Sequence, residues 1–576
     1  MTTNFLKKIN SPKDLKQLSE DQLPLLAQEI REALFKRYDV TGGHFGSNLG
    51  TVELEIAMHY VFDSPKDQFV FDVSHQAYTH KILTGRRAFV EPDGYFTYSG
   101  YTNQDESEHD LFKIGHTSTS VSLACGLAKG RDLQDKDGNV IAVIGDGSMS
   151  GGEAFEGLNN VATLGSNFII IFNDNEMSIA IPTGGMYENF AELRATKGKC
   201  ESNLFKAMGL DYLYVEGGND FDQLLSALRS VKDIDHPIVL HVHTQKGLGS
   251  NWALDHPEEC HWVMPKDFTP AEGPDMYSIT ADYLMKKIKA DPSVIAVNAA
   301  IPGAVGLSQE WRKEAGKQFV DVGIAEEHAV AFISGLAKSG AKPVLLELGT
   351  FLQRTYDQMM QDLALNENAA VILVYGAEIG AGDATHNGTY TTALENIIPN
   401  VKVFTPSLKE DYLAILNWAM EQTQYPVIIN VPWEVREGKG SFHPDQLDSY
   451  HLVKEGSKAA IIGFGDFISL AEETATLLKE NGIDAMVIDP VISGSIDTHM
   501  LDRIEASCSL VVTIENGMLW GGSGREIAAY YGTSNVKVLN FGAEKEYLDR
   551  VGEDTMLERY NLKAEMIAEK ALEALA

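Results

Sequence analysis

The sequence predicts an α/β protein built from three doubly wound domains with mostly parallel sheets. Three observations carry this. Short apolar runs of β type alternate with helix-length segments along the chain, and such continuous runs mark strands covered on both faces. Several runs end in glycine, aspartate or asparagine, as in IGDGS, FNDNE, ENG and NFG, at the carboxyl ends where open α/β sheets bind ligands. The length, 576 residues, suits about three domains at ~100–200 residues each.

Strands are expected at Val140–Ile144, Phe168–Phe172, Ile238–His243, Val344–Leu348, Val371–Tyr375 and Val401–Phe404, then at Val427–Val431, Ala459–Phe464, Ala485–Ile488, Leu510–Ile514 and Val536–Asn540. Three blocks follow: 1–275, 276–435 and 442–576. A helical segment, Ser278–Lys289, opens the second block, and the polar, glycine-rich Glu434–Ser441 reads as a linker into the third. The polar stretch 184–203 lacks clear periodicity and reads as a loop near the ligand. No short repeat is present.

Apolar residues make up 44% and charged residues 22% of the chain, as in an ordinary globular protein. Acids outnumber bases 82 to 47, a formal charge of −35. That balance speaks against nucleic acid and anionic membrane as partners, because both need Lys and Arg to neutralise phosphates. An anionic ligand would need a locally built site or a metal. Cys125, Cys200, Cys260 and Cys508 form no CxxC pair, so free thiols in a reducing cytoplasm are expected. The first residues carry no apolar core of signal-peptide length, and no run reaches the ~18 apolar residues of a membrane span.

The chemistry concentrates in Gly145-Asp146-Gly147-Ser148 and, downstream, Asn173-Asp174-Asn175-Glu176-Met177, each after a β-type run. Asp146 and Asn175 offer hard oxygen ligands suited to Mg²⁺, which keeps phosphate oxygens in its shell. The glycines let backbone N–H groups approach a diphosphate. Asp-Gly alone is a common turn; the pair of segments at this separation is far more specific.

Gly145-Asp146-Gly147 through Asn175 resembles the thiamine diphosphate motif. More closely, the chain resembles the 1-deoxy-D-xylulose-5-phosphate synthase family. The matching segments are Gly42-Gly43-His44-Phe45, Leu49-Gly50-Thr51-Val52-Glu53-Leu54, Asp72-Val73-Ser74-His75-Gln76-Ala77-Tyr78, the run HKILTGRR at 80–87 and Gly115-His116-Thr117-Ser118. They continue with DVGIAEEHAV at 321–330, Thr350-Phe351-Leu352-Gln353-Arg354, Thr385-His386-Asn387-Gly388 and TIENGMLWGGSG at 513–524. The resemblance implies a transketolase-like fold with a diphosphate-binding, an aminopyrimidine-binding and a C-terminal domain. It implies a homodimer that joins a two-carbon unit from pyruvate to an aldehyde, with thiamine diphosphate and Mg²⁺ as cofactors.

The same resemblance assigns roles. Asp146, Asn175 and the Met177 carbonyl would ligate the metal. Gly115, His116, Thr117, Gly147 and Ser148 would help hold the cofactor. Glu326 would contact the aminopyrimidine nitrogen and promote loss of the thiazolium proton, and Phe351 would stack on that ring. His44, His75, His261 and His386 match active-site histidines, whose near-neutral titration suits proton transfer and carboxylate orientation.

The departures cluster on the acceptor side. The family's phosphate-binding arginines align with Tyr375 and Trp433, and no arginine occurs between Arg87 and Arg131 where a third is usual. Asp383 is displaced by one place from the family's loop acid, Leu348 replaces a tyrosine, and Ser250 stands where a tyrosine follows the KGRG-like turn. The acceptor is therefore glyceraldehyde 3-phosphate, with Arg354 and Lys246 compensating, or, given the lost arginines, a different aldehyde, and poor use of the phosphorylated one is expected. Transketolase-type ketol transfer and a catalytically weak regulatory paralogue are the alternatives.

Overall fold

The structure, a computed structural model, describes residues 4–270, 272–380 and 382–576. It divides into two compact units. One runs to residue 271 and includes Gly323–Ala325; the other comprises Glu272–Val322 and Glu326–Ala576.

The first unit is organised on a five-stranded sheet, in spatial order Gln68–Phe71, Val140–Gly145, Phe168–Asp174, Pro237–His243 and Asp211–Val215. All its pairings are parallel. Strand residues alternate between two cores: Ile141, Val143, Ile169 and Ile171 in one, Ala142, Ile144, Ile170 and Phe172 in the other. Burial on both faces explains why these strands read as unbroken apolar runs.

The second unit holds two sheets. The larger runs Ile492–Ser493, Lys402–Phe404, Val427–Asn430, Val371–Tyr375, Lys342–Leu348, Val294–Asn298 and Phe319–Asp321. Only its first strand is antiparallel, through Val403↔Ser493 and Phe404↔Ile492. The other sheet runs His451–Lys454, Met486–Asp489, Lys458–Gly463, Cys508–Met518 and Lys537–Ala543, with only His451–Lys454 antiparallel. Ile492–Ser493 thus comes from the C-terminal part of the chain but completes the edge of the larger sheet. Side chains reinforce that seam: Ser493 Oγ donates to Asn396 Oδ1 (2.8 Å) and Ser407 to Asp489.

All eleven expected strands are present, with ends shifted by a few residues at most. The helical opening of the second block is Met276–Ala290, capped by Asp275. Glu434–Ser441 has no helix or strand, as expected of a linker. The stretch 184–203 needs correction: it contains a helix, Gly185–Ala195. Phe190 and Leu193 are buried there, and Phe190 packs on Phe172 at 4.7 Å between ring centroids. Met186, Phe190 and Leu193 are spaced i, i+4, i+7, so an apolar stripe does exist within the polar surroundings. Among the described residues no helix is long and apolar enough to cross a membrane.

Candidate active site

The first unit presents its polar groups at the carboxyl ends of adjacent strands. Asp146 follows Val140–Gly145, Asn175 follows Phe168–Asp174, and Asp72 follows Gln68–Phe71. Gly147 lies so close to Ser178 that a Cβ would meet its Oγ at 2.8 Å, which explains the glycine. Met177 N donates to Asn175 Oδ1 (3.2 Å), and Glu176 N to Asp174 Oδ1 (3.1 Å), folding the NDNEM segment back on itself. The helix Gly185–Ala195 closes on this corner: Tyr187 OH donates to the Asp146 carbonyl (3.2 Å), and Arg194 pairs with Asp174 (2.6 Å).

Asp146 is fully buried, and its Oδ2 has no hydrogen-bond partner. Burial, then the nearby Asp174 carboxylate, push its carboxyl well above the usual range. Asp174 goes the other way: burial opposes it, but His241 and Arg194 outweigh burial and hold it ionised. A buried carboxyl with an orphaned oxygen is poorly placed without a cation. Among the described residues no three His, Cys, Asp or Glu side chains are arranged to hold a metal. A cation beside Asp146 would therefore complete its shell from amide, backbone and ligand oxygens, as hard Mg²⁺ does.

Asp72 organises the loop that holds Ser118 and Ser120. Its two oxygens accept Ser118 N (2.7 Å) and Ser120 N (2.9 Å), next to Gly115-His116-Thr117. Ser118 Oγ then donates to the Ser148 carbonyl (2.8 Å). The chain after Asp72 is strained: Val73 and Ser74 have φ of 57° and 65°. Left-handed geometry at a β-branched residue costs ~1–3 kcal/mol and persists only where neighbours enforce it. Here Ser74 Oγ is fixed by Ile114 O and Thr102 N, both at 2.8 Å. The strained turn delivers His75.

Three of the four expected histidines lie together. His44 and His75 ring centroids are 4.7 Å apart, His44 and His261 5.3 Å, and His75 and His261 5.4 Å. An antiparallel pairing, Gly43↔Val263 and His44↔Trp262, sets two of them side by side. Asn48, completely buried, ties the third in, because its Nδ2 donates to both the His44 and His75 carbonyls at 2.7 Å. Burial, the Lys246 charge and His75 keep the His261 imidazole well below its ordinary value, hence neutral near pH 7.

The second unit carries Glu326, Phe351 and His386. Glu326 begins the helix Glu326–Lys338 and is buried. Burial raises its carboxyl; Arg354 opposes the rise. Phe351 and His386 meet edge to face at 5.6 Å. Asp383 Oδ1 accepts Thr385 N (2.8 Å) and His386 N (2.9 Å), so the displaced acid caps the histidine loop. Glu347 adds a second buried carboxyl. Its Oε1 accepts Leu348 N (2.9 Å), its Oε2 has no partner, and burial followed by the Glu326 charge pushes it well up. Two close carboxyls share protons as a pair.

Sequence reasoning missed Asn48, Asp72 as an organiser, and Glu347. Glu347 interrupts the apolar run Val344–Leu348, which is an available signal, whereas Asn48 shares its helix with Ser47, Thr51, Glu53, Glu55 and His59 and has none. The acceptor-side substitutions are also informative. Tyr375 is buried and stacks on Tyr277 at 4.9 Å, while Trp433 is 64% exposed. The basic groups of the 80–87 run face inward or pair locally: Lys81 with Glu106 (2.7 Å), Arg86 with Asp110, Arg87 with Glu91 (2.9 Å).

Comparison with known proteins follows this layout. The family model described as 1-deoxy-D-xylulose-5-phosphate synthase matches residues 6–201 and 195–244. The models for the transketolase pyrimidine binding domain and C-terminal domain match 272–434 and 449–567. The 1-deoxy-D-xylulose-5-phosphate synthase of Chlorobaculum tepidum is 34% identical over 99% of this chain and 98% of its own length. That of Francisella tularensis subsp. novicida is 35% identical over 98% of each. Among solved structures, a transketolase from Pichia stipitis covers 97% of both chains at 15% identity with a TM-score of 0.45.

Proposed function

The chain belongs to the 1-deoxy-D-xylulose-5-phosphate synthase family, and from that premise we propose that its acceptor is an aldehyde without a phosphate group. It is a thiamine diphosphate-dependent transferase, a carboligase that decarboxylates pyruvate. The observation that carries the acceptor reading is the fate of the cations. The aligned phosphate anchors are aromatic, Arg436 beside Trp433 in sequence holds Glu472 (2.7 Å), and basic groups elsewhere also hold carboxylates or carbonyls: Arg86 on Asp110, Arg194 on Asp174, Lys246 Nζ on the Ser178 carbonyl at 2.8 Å. A charge-assisted bond contributes ~1.5–3 kcal/mol. Two fewer would weaken phosphate recognition by ~10²–10⁴.

Bound thiamine diphosphate supplies the nucleophilic carbon and the electron sink for decarboxylation. The chain's own residues bind, orient and move protons. Asp146 Oδ2, the Asn175 amide oxygen and the Met177 carbonyl would hold Mg²⁺ against the diphosphate, with Gly147, Ser148 and Gly115–Thr117 alongside. Glu326 would carry the proton at the aminopyrimidine nitrogen, and its raised carboxyl suits that task. His44, His75 and His261, mutually close and with His261 neutral, would orient the donor carboxylate and pass protons to the product oxygen. Asp383 would position His386. The same reading makes the protein a homodimer, checked by sedimentation, in a reducing cytoplasm that suits its four free cysteines.

The test is steady-state kinetics with pyruvate and either glyceraldehyde or glyceraldehyde 3-phosphate. The expected result is a higher kcat/KM for the unphosphorylated aldehyde. A clear preference for the phosphate ester would restore the family's ordinary acceptor, and carbon dioxide release from pyruvate alone separates either outcome from a regulatory paralogue.

A further inference from the structure

The helix Gly46–Val61 of the first unit is buried along almost its whole length, yet one face of it is polar. Asn48, Thr51, Glu55 and His59 recur at spacings of three and four residues, so they stack on one side of the helix. All four are buried. Polar groups in such a place cost free energy unless they are bonded. The segment they bond is the one that begins with His75.

Besides joining the His44 and His75 carbonyls through Nδ2, Asn48 accepts Tyr78 N at its Oδ1 (3.0 Å). One turn on, Glu55 Oε2 accepts His80 N (2.6 Å), and its Oε1 accepts the Thr51 hydroxyl (2.7 Å). Thr51 Oγ1 also lies 3.3 Å from the Gln76 carbonyl. His59 Nε2 then meets His80 Nδ1 at 2.8 Å. Backbone groups of His75, Tyr78 and His80 are thus held by side chains of one helix, directly after the left-handed pair Val73 and Ser74. Apolar residues would fill the same space, but only bonded polar ones fix the backbone of 75–80 in one placement.

We propose that Asn48 and Thr51 are positioning residues for the pyruvate donor: together they fix where the His75 ring stands against His44. Asn48 does so by joining the two histidine backbones, and Thr51 by holding the Glu55 carboxyl on the His80 amide. Neither acts on the donor itself; each acts through the turn that carries His75. The inference rests on the reading of His44 and His75 as groups that orient pyruvate.

The chemistry of the side chain explains why position 48 takes an amide. Two carbonyls and one N–H converge there, and a carboxamide offers two N–H donors and an acceptor oxygen on one short stem. Alanine would leave all three backbone groups unmet, and an ionised aspartate would satisfy only Tyr78 N. The two rings stand 4.7 Å apart between centroids. A misplacement of ~1 Å in a catalytic array costs ~10²-fold in rate, so loosening the turn reaches the chemistry without touching it.

Steady-state kinetics on the holoenzyme decide this, with pyruvate and glyceraldehyde varied in turn and thiamine diphosphate affinity measured by calorimetry. Asn48→Ala should lower kcat/KM for pyruvate about 10²-fold, with a raised pyruvate KM. The KM for the aldehyde and the affinity for the cofactor should not move. Thr51→Val, nearly isosteric, should lower kcat/KM for pyruvate about tenfold, and Thr51→Ser, which keeps the hydroxyl, should restore it. This pair decides the matter even where Asn48→Ala does not fold. Loss of folded protein alone would lower kcat and leave both KM values in place, and that pattern would overturn the inference. So would unchanged kcat/KM for pyruvate in Asn48→Ala and Thr51→Val, or equal losses in Thr51→Val and Thr51→Ser. His75→Ala, run alongside, should lose at least as much as Asn48→Ala. If it loses nothing, the donor reading falls and the inference with it; if it loses while Asn48→Ala and Thr51→Val do not, the inference falls alone.

Discussion

The two units bury their polar groups in opposite ways. In the first, charge is paired and histidines are interior. His59, His80 and Asp110 form a chain with links of 2.8 Å, and Arg86 closes on Asp110. His241 bridges Tyr212 (2.7 Å) and Asp174 (2.9 Å). In the second unit the buried groups are lone carboxyls. Glu395, Asp489 and Glu515 are fully buried and pushed by that burial to about 7, with only neutral hydrogen-bond partners. The lesson is that similar α/β frames are stabilised on opposite sides of neutrality. His80 is lowered by burial to about 4, so its contribution is present above about 6.5 and lost as pH falls through about 4. Glu515 is raised, so its contribution is present below about 4.5 and lost as pH rises through about 7. Glu55, raised to about 8, and Asp72 and Asp146, both raised by burial, are the first unit's exceptions.

The sharpest way to break this comparison is to remove one acid from each unit. Asp146→Ala should abolish tight thiamine diphosphate binding by calorimetry, because it removes the orphaned oxygen that would meet the metal. Glu326→Ala should bind the cofactor and slow hydrogen–deuterium exchange at the thiazolium carbon ~10²–10⁴-fold by NMR. Equal loss of binding in both would erase the distinction between the halves. Next in size, Asp110→Asn leaves Arg86 and His80 without their carboxylate and should cost ~3–5 kcal/mol in chemical denaturation. The pH slopes come third. Hydrogen exchange resolved by peptide should show the first unit loosening from pH 6.5 to 4, and the second from pH 5 to 8. Glu515 alone accounts for at most about 3 kcal/mol, from a rise of 4.5 to about 7. Parallel slopes in both units would refute the contrast. The smallest effect is Glu395→Gln, which should stabilise the protein by ~1–3 kcal/mol at pH 8 and hardly at pH 4.5.

This contrast was not legible in the sequence, whereas the frame was. Strands such as Val140–Gly145 and Val371–Tyr375 are buried on both faces, so apolar runs mark them directly. Asp211–Val215 and His451–Lys454 escaped as half-exposed edge strands and Ile492–Ser493 as a piece of two residues, while the mostly buried Gln68–Phe71 and Val294–Asn298 were missed although their apolar runs are present. The places of Asp146 and Asn175 just after strands were legible because apolar runs mark the strands they follow. Asn48 was not, since nothing local distinguishes a polar side chain that ties buried backbones together from one that faces solvent. The helix Gly185–Ala195 was hidden for the converse reason: its apolar stripe is three residues in a polar stretch.

The two-residue strand Ile492–Ser493 makes excision of the C-terminal block hazardous. A chain cut in the 434–441 linker would strip Val403 and Phe404 of their outer neighbour. The larger sheet would then end in an unprotected edge, a template for intermolecular pairing. The severed half-molecule is expected to aggregate rather than persist as a soluble module. The intact second unit should instead melt as one cooperative block, its calorimetric and van't Hoff enthalpies agreeing. A clasp of two residues, not the linker, decides whether that half of the protein behaves as one folding unit or two.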